Sequence, residues 1–281
     1  TVLYSFPKPA QGSQFGGPLA SVTFDGAGQL FGTTGLDDAC GGVNYGSVFR
    51  LKRIGATWRE QDIHEFCGID GSAPGYGALV LEPAGNFYGT TMAQGGDGHL
   101  GVVYELSPAV GGNWTFNVLH DFTFDEGGQP QGGVTLDSFG NLFGTEFAGG
   151  LSLHGAVYEL SLADGTWNLN VLYEFTGGGS DGTGPWAPPV FDSVGNLFGT
   201  TQGGGQAAFC DNCGVVYELA PQGEGQWKES VVYTFGSQPG IADGADPIAG
   251  LIRAADGNFY GAADEGGDSS CNCGVVYEFK P

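Results

Sequence analysis

The residues best suited to chemistry in this sequence are carboxylates that interrupt a repeated pattern. Five segments share a core of the type Leu-Phe-Gly or Phe-Tyr-Gly, and three of them end in Thr-Thr. The third ends in Thr145-Glu146, and the fifth continues as Ala263-Asp264-Glu265. Two carboxyl groups facing one cleft can act as general acid and base on a glycosidic bond. Glu146, Asp264 and Glu265 are therefore candidate catalytic residues, with solvated carboxylates of a very acidic protein as the alternative.

A second group of carboxylates recurs next to glycine, between the repeats. Its members are Asp70, Asp125, Asp181 and Asp243. Carboxylates beside backbone carbonyls in glycine turns suit Ca²⁺, which takes six to eight oxygen ligands. The alternative is an Asx-type turn, in which each aspartate closes its own loop. No interval matches a contiguous calcium loop, so calcium binding is one of two predictions for these aspartates.

Other candidate ligand-binding residues differ from repeat to repeat. Tyr76, Gln131 and Trp186 occupy equivalent positions, each just before the first apolar segment of a repeat. Trp186 is the tryptophan that does not fall at the repeated tryptophan position. An aromatic ring with carboxylates around it suits a sugar, which has an apolar face and a hydroxylated rim; plugging of a channel mouth is the alternative. His99 and His154 lie in corresponding loops of neighbouring repeats, where they and Asp97 would suit a transition metal.

Six cysteines predict disulfides and an oxidising compartment. Cys210 and Cys213 lie in one loop, and Cys271 and Cys273 lie in the corresponding loop of the next repeat. We predict a local disulfide in each loop and a third between Cys40 and Cys67. Two alternatives stay open, which are a four-thiolate zinc site across the two loops and a bridge between them.

The charge balance excludes some partners. The chain carries 31 acidic and 8 basic residues, for a formal charge of −23. Such a surface repels phosphate backbones and anionic membranes, so nucleic acid is not an expected partner. No stretch approaches the roughly 20 apolar residues of a membrane helix, so membrane insertion is not expected either. The first residue is Thr1 rather than methionine, and we expect that a leader was removed from a secreted or cell-surface protein.

The elements that position these residues follow from an internal repeat. The central glycines of the five marker segments are at 32, 89, 144, 199 and 261, spaced by 57, 55, 55 and 62 residues. Each marker is preceded by a short apolar segment and followed by two more, one of the type Val-Val-Tyr-Glu-Leu and one ending in Tyr-x-Phe or His-x-Phe. Four short strands per repeat, here named a to d in chain order, with glycine-rich turns indicate propeller blades.

The predicted fold class is therefore all-β, a five-bladed β-propeller with four antiparallel strands per blade in a single domain, 1–281. The predicted blades are about 18–66, 77–122, 132–175, 187–235 and 249–279 plus 1–6. The last repeat lacks strand d, whereas residues 1–6 carry a spare one. Pairing them would close the ring and remove two open sheet edges. Tryptophans beside the turns between c and d, such as Trp58 and Trp114, are interpreted as blade-edge packing residues.

The repeat resembles the bacterial GloVer tandem repeat over essentially the whole chain. The resemblance rests on Asp-Gly-x-x-Pro, Gly-Asn-Leu-Phe-Gly-Thr-Thr and Gly-Val-Val-Tyr-Glu-Leu in the middle repeats; the first repeat lacks the Asp-Gly-x-x-Pro segment. It implies secreted or surface-anchored β-propellers. It implies no biochemical activity, and no functional residue carries over from it.

The variable loops between b and c and the connectors from d to the next a are expected on one face, because both lie at the same end of a four-stranded up-and-down blade. Long loops on a rigid scaffold are where function tends to lie. The leading hypothesis is an extracellular, non-catalytic binding module that holds a glycan, or else a protein, on this face. The second hypothesis is a polysaccharide-acting hydrolase or lyase that uses the carboxylates near the axis. A purely structural surface protein is the third.

Overall fold

A computed structural model describes residues 1–7, 17–35, 45–96, 98–268 and 270–281. The fold is all-β, and its five small antiparallel sheets are the blades of a five-bladed β-propeller, which confirms the predicted fold class. Within the described ranges, no helix is long and apolar enough for a membrane span. The chain forms two compact units: unit 1 comprises 1–124, 129–140 and 165–167, and unit 2 comprises 125–128, 141–164 and 168–281.

The sheets follow the chain order a, b, c, d. The first contains β1 (Thr23–Phe24), β2 (Leu30–Thr33), β3 (Ser47–Ile54) and β4 (Thr57–Glu65); the second contains β5 (Val80–Leu81), β6 (Phe87–Thr91), β7 (Val102–Pro108) and β8 (Trp114–Asp121). The third contains β9 (Val134–Leu136), β10 (Leu142–Glu146), β11 (Ala156–Ala163) and β12 (Thr166–Glu174); the fourth contains β14 (Val190–Phe191), β15 (Leu197–Thr201), β17 (Val215–Gly223) and β18 (Gln226–Thr234). The fifth contains β19 (Ile252–Arg253), β20 (Phe259–Ala263) and β21 (Val275–Phe279), while β13 (Gly182–Thr183) pairs separately with β16 (Gly203–Gly204). Short 3₁₀ turns cover Pro74–Tyr76, Val110–Gly112 and Pro239–Ile241.

The marker glycine of each repeat is required by the aromatic ring on the neighbouring strand, which is Phe49 in the first repeat and a tyrosine in the others. Gly89 pairs with Tyr104 across β6 and β7, and Gly199 pairs with Tyr217 across β15 and β17. A Cβ at either glycine would overlap the ring and hydroxyl of its tyrosine. Both tyrosines are fully buried. Strand b therefore has a glycine at its centre because the ring of strand c fills that space.

Strands c and d are longer than the repeat pattern predicts and meet in tight turns. At the turn of the third sheet, Asp164 and Gly165 both have positive φ, 51° and 77°. Glu224 and Gly225 repeat this arrangement in the fourth sheet, with φ of 52° and 75°. Two successive left-handed residues match the twist of an antiparallel hairpin. As a result, the repeat tryptophans lie at the start of strand d rather than in the turn.

In unit 1, aromatic rings and a hydroxyl join the first two sheets. Trp114 packs edge-on against Phe31, with ring centroids 5.5 Å apart, and lies 5.7 Å from Phe87. The Thr33 hydroxyl donates a hydrogen bond to the carbonyl of Gly77, 3.4 Å away. The predicted packing role of the repeat tryptophan is confirmed for Trp114.

In unit 2, the same kinds of contact recur between successive blades. The Thr145 hydroxyl donates to the Ala187 carbonyl, and the Thr200 hydroxyl donates to the Ala249 carbonyl, both at 3.3 Å. Between the fourth and fifth sheets, the rings of Phe235 and Tyr277 pack 5.0 Å apart.

The predicted pairing of residues 1–6 with the last blade stays a prediction, because the two segments belong to different compact units. The fifth sheet has three strands in the described part of the chain, and residues 1–7 have no regular secondary structure. Val276 on β21 is 84% exposed, whereas the equivalent Val103 and Val216 are almost wholly buried. The missing fourth strand explains this difference, because strand d covers that valine in the other sheets.

Residues 1–6 are held by side chains rather than by a backbone ladder. Phe6 packs edge-on against Phe49 of β3, with ring centroids 4.8 Å apart. The Tyr4 hydroxyl donates to the Glu60 carboxylate of β4 over 3.4 Å. Elsewhere the phenylalanine that follows strand d makes the same contact with the next strand c, as Phe66 does with Tyr104 at 5.4 Å. Residues 1–6 thus contact the first sheet as a strand d contacts the sheet that follows it.

Candidate functional site

In unit 2, backbone hydrogen bonds hold the connector before the fifth sheet between two loops. The Asp246 N–H donates to the Cys213 carbonyl, and the Asp264 N–H donates to the Asp246 carbonyl, both over 3.1 Å. Asp246 precedes Pro247 and has a φ of 60°, a left-handed conformation that is uncommon outside glycine. Residues in such conformations concentrate at functional sites.

A cavity of about 430 Å³ opens beside this connector. Its polar lining comprises one hydroxyl, two amides and two carboxylates, which belong to Thr183, Gln202, Asn212, Asp246 and Glu265. The ring of Phe147 forms part of the wall, together with Gly184, Gly203, Ala245 and both cysteines of the Cys210–Cys213 loop. Its volume and mixed lining are those of a small-ligand site.

The carboxylates around this cavity influence one another. Burial raises the pKa of the Asp246 carboxyl, and the carboxylates of Glu265 and Asp264 raise it further. A hydrogen bond with Gln202 opposes these effects by stabilising the ionised form. Asp264 and Glu265 themselves are exposed. Glu265, a predicted catalytic residue, therefore lies in the same cavity as Asp246. The pKa of the Asp246 carboxyl is raised, and the repeat pattern did not single out this residue.

Two disulfides stabilise the loops near this cavity. Cys210–Cys213 and Cys271–Cys273 have Cα separations of 5.9 and 5.2 Å. Both predicted local pairs are confirmed, which excludes the four-thiolate zinc site and the bridge between these loops because no thiolate is left there. Cys40 lies outside the described residues, so its predicted bond to Cys67 stays a prediction.

An asparagine within the first of these disulfide loops fixes the loop backbone. Asn212 has a φ of 70°, and its Oδ1 accepts a hydrogen bond from the Gly204 N–H over 2.6 Å. Asn272 makes the equivalent contact with Gly266, also over 2.6 Å. The hydrogen bond from Gly204 and the Cys210–Cys213 disulfide hold the Asn212 side chain at the cavity wall.

Aromatic and imidazole side chains flank the same region. Trp186 packs edge-on against Phe147, with ring centroids 5.3 Å apart, so the predicted sugar-binding tryptophan supports the cavity wall. The Nδ1 of His154 lies 3.0 Å from the Thr183 hydroxyl, which lines the cavity. His154 is thus close to this site without lining it.

Glu146 does not line this cavity, because its side chain is fully buried. Burial, together with the carboxylates of Glu126 and Glu174, raises the pKa of its carboxyl to about 8. Neither carboxylate oxygen has a hydrogen-bond partner among the described residues. A Cβ on Gly127 or Gly149 would overlap this carboxyl, so two glycines enclose it. The carboxyl has no direct access to a polymer in solvent.

The repeat explains why Glu146 lacks partners. The equivalent hydroxyls of Thr91 and Thr201 accept hydrogen bonds from the N–H groups of Val102 and Val215, over 3.1 and 3.3 Å. A threonine hydroxyl is short enough to reach the first N–H of strand c. The longer glutamate side chain extends past this position into the space beneath the glycines.

The four aspartates predicted to bind calcium are mostly engaged by protein donors. The Asp70 carboxylate lies 2.8 Å from Nε2 of His64 and accepts the Cys67 N–H. Asp181 accepts from the Tyr173 hydroxyl and the Thr176 N–H, and Asp243 from the Tyr233 hydroxyl and the Ser237 N–H. Each of these N–H groups precedes its aspartate in the chain, so the aspartate closes its own loop, as the alternative predicted, but without the bond to a following N–H that defines an Asx turn. Asp125 is exposed. No cluster of three metal-ligating side chains occurs in the described part of the chain, and calcium binding stays a prediction.

The remaining predicted ligand residues lie in unit 1, apart from this cavity. Tyr76 ends a 3₁₀ turn and is half-buried. Gln131 is 5% exposed, and its Oε1 has no hydrogen-bond partner among the residues described. His99 is exposed and has a φ of 57°. The cavity in unit 2 includes none of these three residues.

The sequence interpretation missed Gln202, Asn212 and Asp246. For Asp246 a signal was present: the residue before the connector proline is Gly17, Ala73, Gln129 and Gly184 in the other repeats, and only the fifth has a carboxylate. Gln202 follows the marker strand directly, as Phe147 does in the preceding repeat. Residues that differ from their equivalents in the other repeats therefore mark this site. They lie next to the site residues that were predicted from the sequence.

Solved structures share the fold at low sequence identity. PorZ, a surface component of the type-IX secretion system of Porphyromonas gingivalis, matches with a TM-score of 0.52 and 15% identity over 94% of this chain, which spans only 36% of PorZ. A putative glucose dehydrogenase of Thermus thermophilus matches with a TM-score of 0.50 and 17% identity, over 89% of this chain and 79% of the enzyme. A gluconolactonase of Xanthomonas campestris matches with a TM-score of 0.49 and 14% identity, over 92% and 71% of the two chains.

No curated protein matches the sequence. Residues 1–185 and 113–281 match the profile of the Gloeobacter/Verrucomicrobia repeat, so the two matches together cover the whole chain. This agrees with the fivefold marker strands and with the sheets they form. The chain belongs to the Gloeobacter/Verrucomicrobia repeat family.

Proposed function

We propose that this protein is an extracellular, non-catalytic binding module whose ligand is a glycan held in the unit 2 cavity. The observation that carries the proposal is the lining of that cavity, where Gln202, Asn212 and Asp246 converge beside the ring of Phe147. Sugar hydroxyls both donate and accept hydrogen bonds, and amides and carboxylates provide both kinds of partner. An aromatic edge offers an apolar contact for the C–H face of the ring.

The rigidity of the cavity also supports binding. Its wall includes both cysteines of the Cys210–Cys213 disulfide, and the Asn212 side chain is bonded to the backbone. Holding the polar groups in place before the ligand arrives reduces the entropy lost on binding. The two disulfides also fit an oxidising, extracellular compartment.

Binding is tested by calorimetric titration with a panel of neutral oligosaccharides. Gln202→Ala should weaken binding by roughly tenfold, because one hydrogen-bonding side chain is removed. Gln222→Ala is the matched control, since Gln222 is exposed and bonds only to the nearby Ala220 carbonyl among the described residues. No binding of any oligosaccharide, or equal weakening by both variants, would refute the proposal.

A second function is a polysaccharide-acting hydrolase or lyase, and the carboxylates of the same cavity favour it. Asp246 has a raised pKa and lies near Glu265, and glycosidases use a pair of carboxyl groups, one of which donates a proton. Release of reducing or unsaturated ends from a polysaccharide would reveal this activity. Asp246→Asn should abolish it, and product release that survives this substitution would assign the activity elsewhere.

A further inference from the structure

Unit 1 contains a larger cavity, of about 600 Å³, at the strand ends that carry the turns between a and b. The first sheet contributes Asp25, Gln29 and Arg50 to its lining, and the second contributes Glu82, Asn113 and Trp114. Apolar wall comes from Leu81, Pro83, Phe87 and Pro108. It is separate from the residues of the proposed glycan site, all of which belong to unit 2.

Arg50 reverses the charge that the other repeats carry at its position on strand c. The equivalent residues are Glu105, Glu159, Glu218 and Glu278. In the fourth and fifth sheets this glutamate accepts a hydrogen bond from the asparagine that starts strand b, over 2.9 and 2.8 Å. In the first sheet both partners differ, since Gln29 replaces the asparagine and Arg50 replaces the glutamate.

The exchange leaves one donor and one acceptor unused. Arg50 donates through Nη2 to Gln61, whereas its buried Nε has no partner among the described residues. Gln29 donates through its amide nitrogen to Asp25 over 2.6 Å, whereas its buried Oε1 likewise has no partner in the described ranges. Buried polar atoms without partners are costly and therefore rare. Both residues line the cavity, and although the two atoms are closed to solvent, rotation of either side chain would present its atom to a ligand there.

The charges around the cavity restrict the ligand further. Asp25 and Glu82 already accept hydrogen bonds within the protein. The N–H groups of Ala27 and Gln29 donate to Asp25, and the side-chain amide of Asn86 donates to Glu82. One guanidinium beside two carboxylates suits an anion with a single charge better than a phosphate with two. A guanidinium pairs with a carboxylate in good geometry. The indole of Trp114 and the neighbouring prolines provide an apolar surface for a ring.

We propose that this cavity binds a hexuronate residue, with its carboxylate on Arg50, a hydroxyl on Oε1 of Gln29 and its apolar face near Trp114. The site is independent of the proposed glycan site, so either can fail without the other. It gives the chain a second recognition surface, selective for acidic sugars over their neutral counterparts.

The test is calorimetric titration of the full chain with trigalacturonate and with its methyl ester. The acid should bind at least roughly tenfold more tightly than the ester, because esterification removes the charge that Arg50 recognises. Arg50→Gln should remove this preference. Arg50→Lys keeps the charge but loses the Nε donor, and it should restore only part of the affinity.

Arg59→Gln is the matched control, because Arg59 is an exposed arginine of the same sheet. It should bind trigalacturonate as the unsubstituted chain does, and far-UV circular dichroism of each variant reports whether the sheets are intact. The proposal is overturned if the acid does not bind at millimolar concentration, if acid and ester bind equally, or if folded Arg50→Gln keeps the preference.

Discussion

Replacing Glu146 by glutamine probes how the fold tolerates a buried acid without hydrogen-bond partners. In the folded protein the pKa of this carboxyl is raised to about 8, from an ordinary value of 4.5. The folded state therefore binds the proton more strongly than the unfolded state does. The contribution to stability is full below pH 4.5, decreases as the pH rises towards 8, and is lost above that value.

The size of the effect follows from the difference between the pKa of Glu146 in the folded protein and its ordinary value. One pKa unit corresponds to 1.36 kcal/mol, so ionisation of Glu146 would lower the free energy of unfolding by at most ~5 kcal/mol between the two limits. Local opening of Gly127 and Gly149 can relieve the charge first, which makes this value an upper limit. Glutamine has nearly the same shape and does not ionise. Glu146→Gln should therefore be much more stable than the unsubstituted chain at pH 9 and similar to it at pH 5.

The assay is urea unfolding followed by tryptophan fluorescence at several pH values from 5 to 9. Glu224→Gln, in an exposed turn, is the control and should keep the pH dependence of the unsubstituted chain. Glu146→Thr restores the residue of three other repeats and should remove the dependence too, because its hydroxyl can bond to the first N–H of strand c. If Glu146→Gln loses stability with rising pH as steeply as the unsubstituted chain, the burial argument is wrong.

Three further experiments test other parts of the structure. Glu229→Gln should flatten the fall in urea midpoint that is expected as the pH rises through 7, because burial and Asp181 raise the pKa of Glu229 to about 7; an unchanged midpoint profile would contradict this. Phe235→Ala should lower the free energy of unfolding in urea by about 3–5 kcal/mol, because Phe235 is 1% exposed. Phe6→Ala should lower it by less, because Phe6 is only half-buried. Equal losses would show that residues 1–6 are as tightly packed as a core strand. Replacing Cys210 and Cys213 together by serine should lower the free energy of unfolding by about 2 kcal/mol, because the closed loop is short, and a several-fold larger loss would contradict that account.

Much of the fold could be predicted because its determinants are local in the chain. The marker strand recurs in every repeat and the Val-Tyr-Glu segment in four of the five, and the overlap between Gly199 and the Tyr217 ring explains why they recur together. Turn residues such as Gly165 define where strand c ends and strand d begins. The two local disulfides follow from cysteines two and three residues apart.

The candidate site could be predicted only in part. Glu265 was expected at a carboxylate-lined cleft, and the structure places it in one with Asp246. Glu146 was expected in such a cleft as well, yet its side chain is fully buried. Both lie at or just after the end of strand b, so the pattern could not separate them. The difference depends on which residues pack above each carboxyl.

The number of repeats, the strand order within each blade and the positions of the turns can all be predicted from the amino-acid sequence, because the repeated segments and the left-handed glycines act over a few residues. Which polar groups meet depends on the three-dimensional packing. The unused atoms of Arg50 and Gln29, the side-chain attachment of residues 1–6 and the burial of Glu146 all depend on contacts between segments far apart in the chain. The free energy of a buried polar or charged group is set by these distant neighbours, and no local pattern of residue types encodes them.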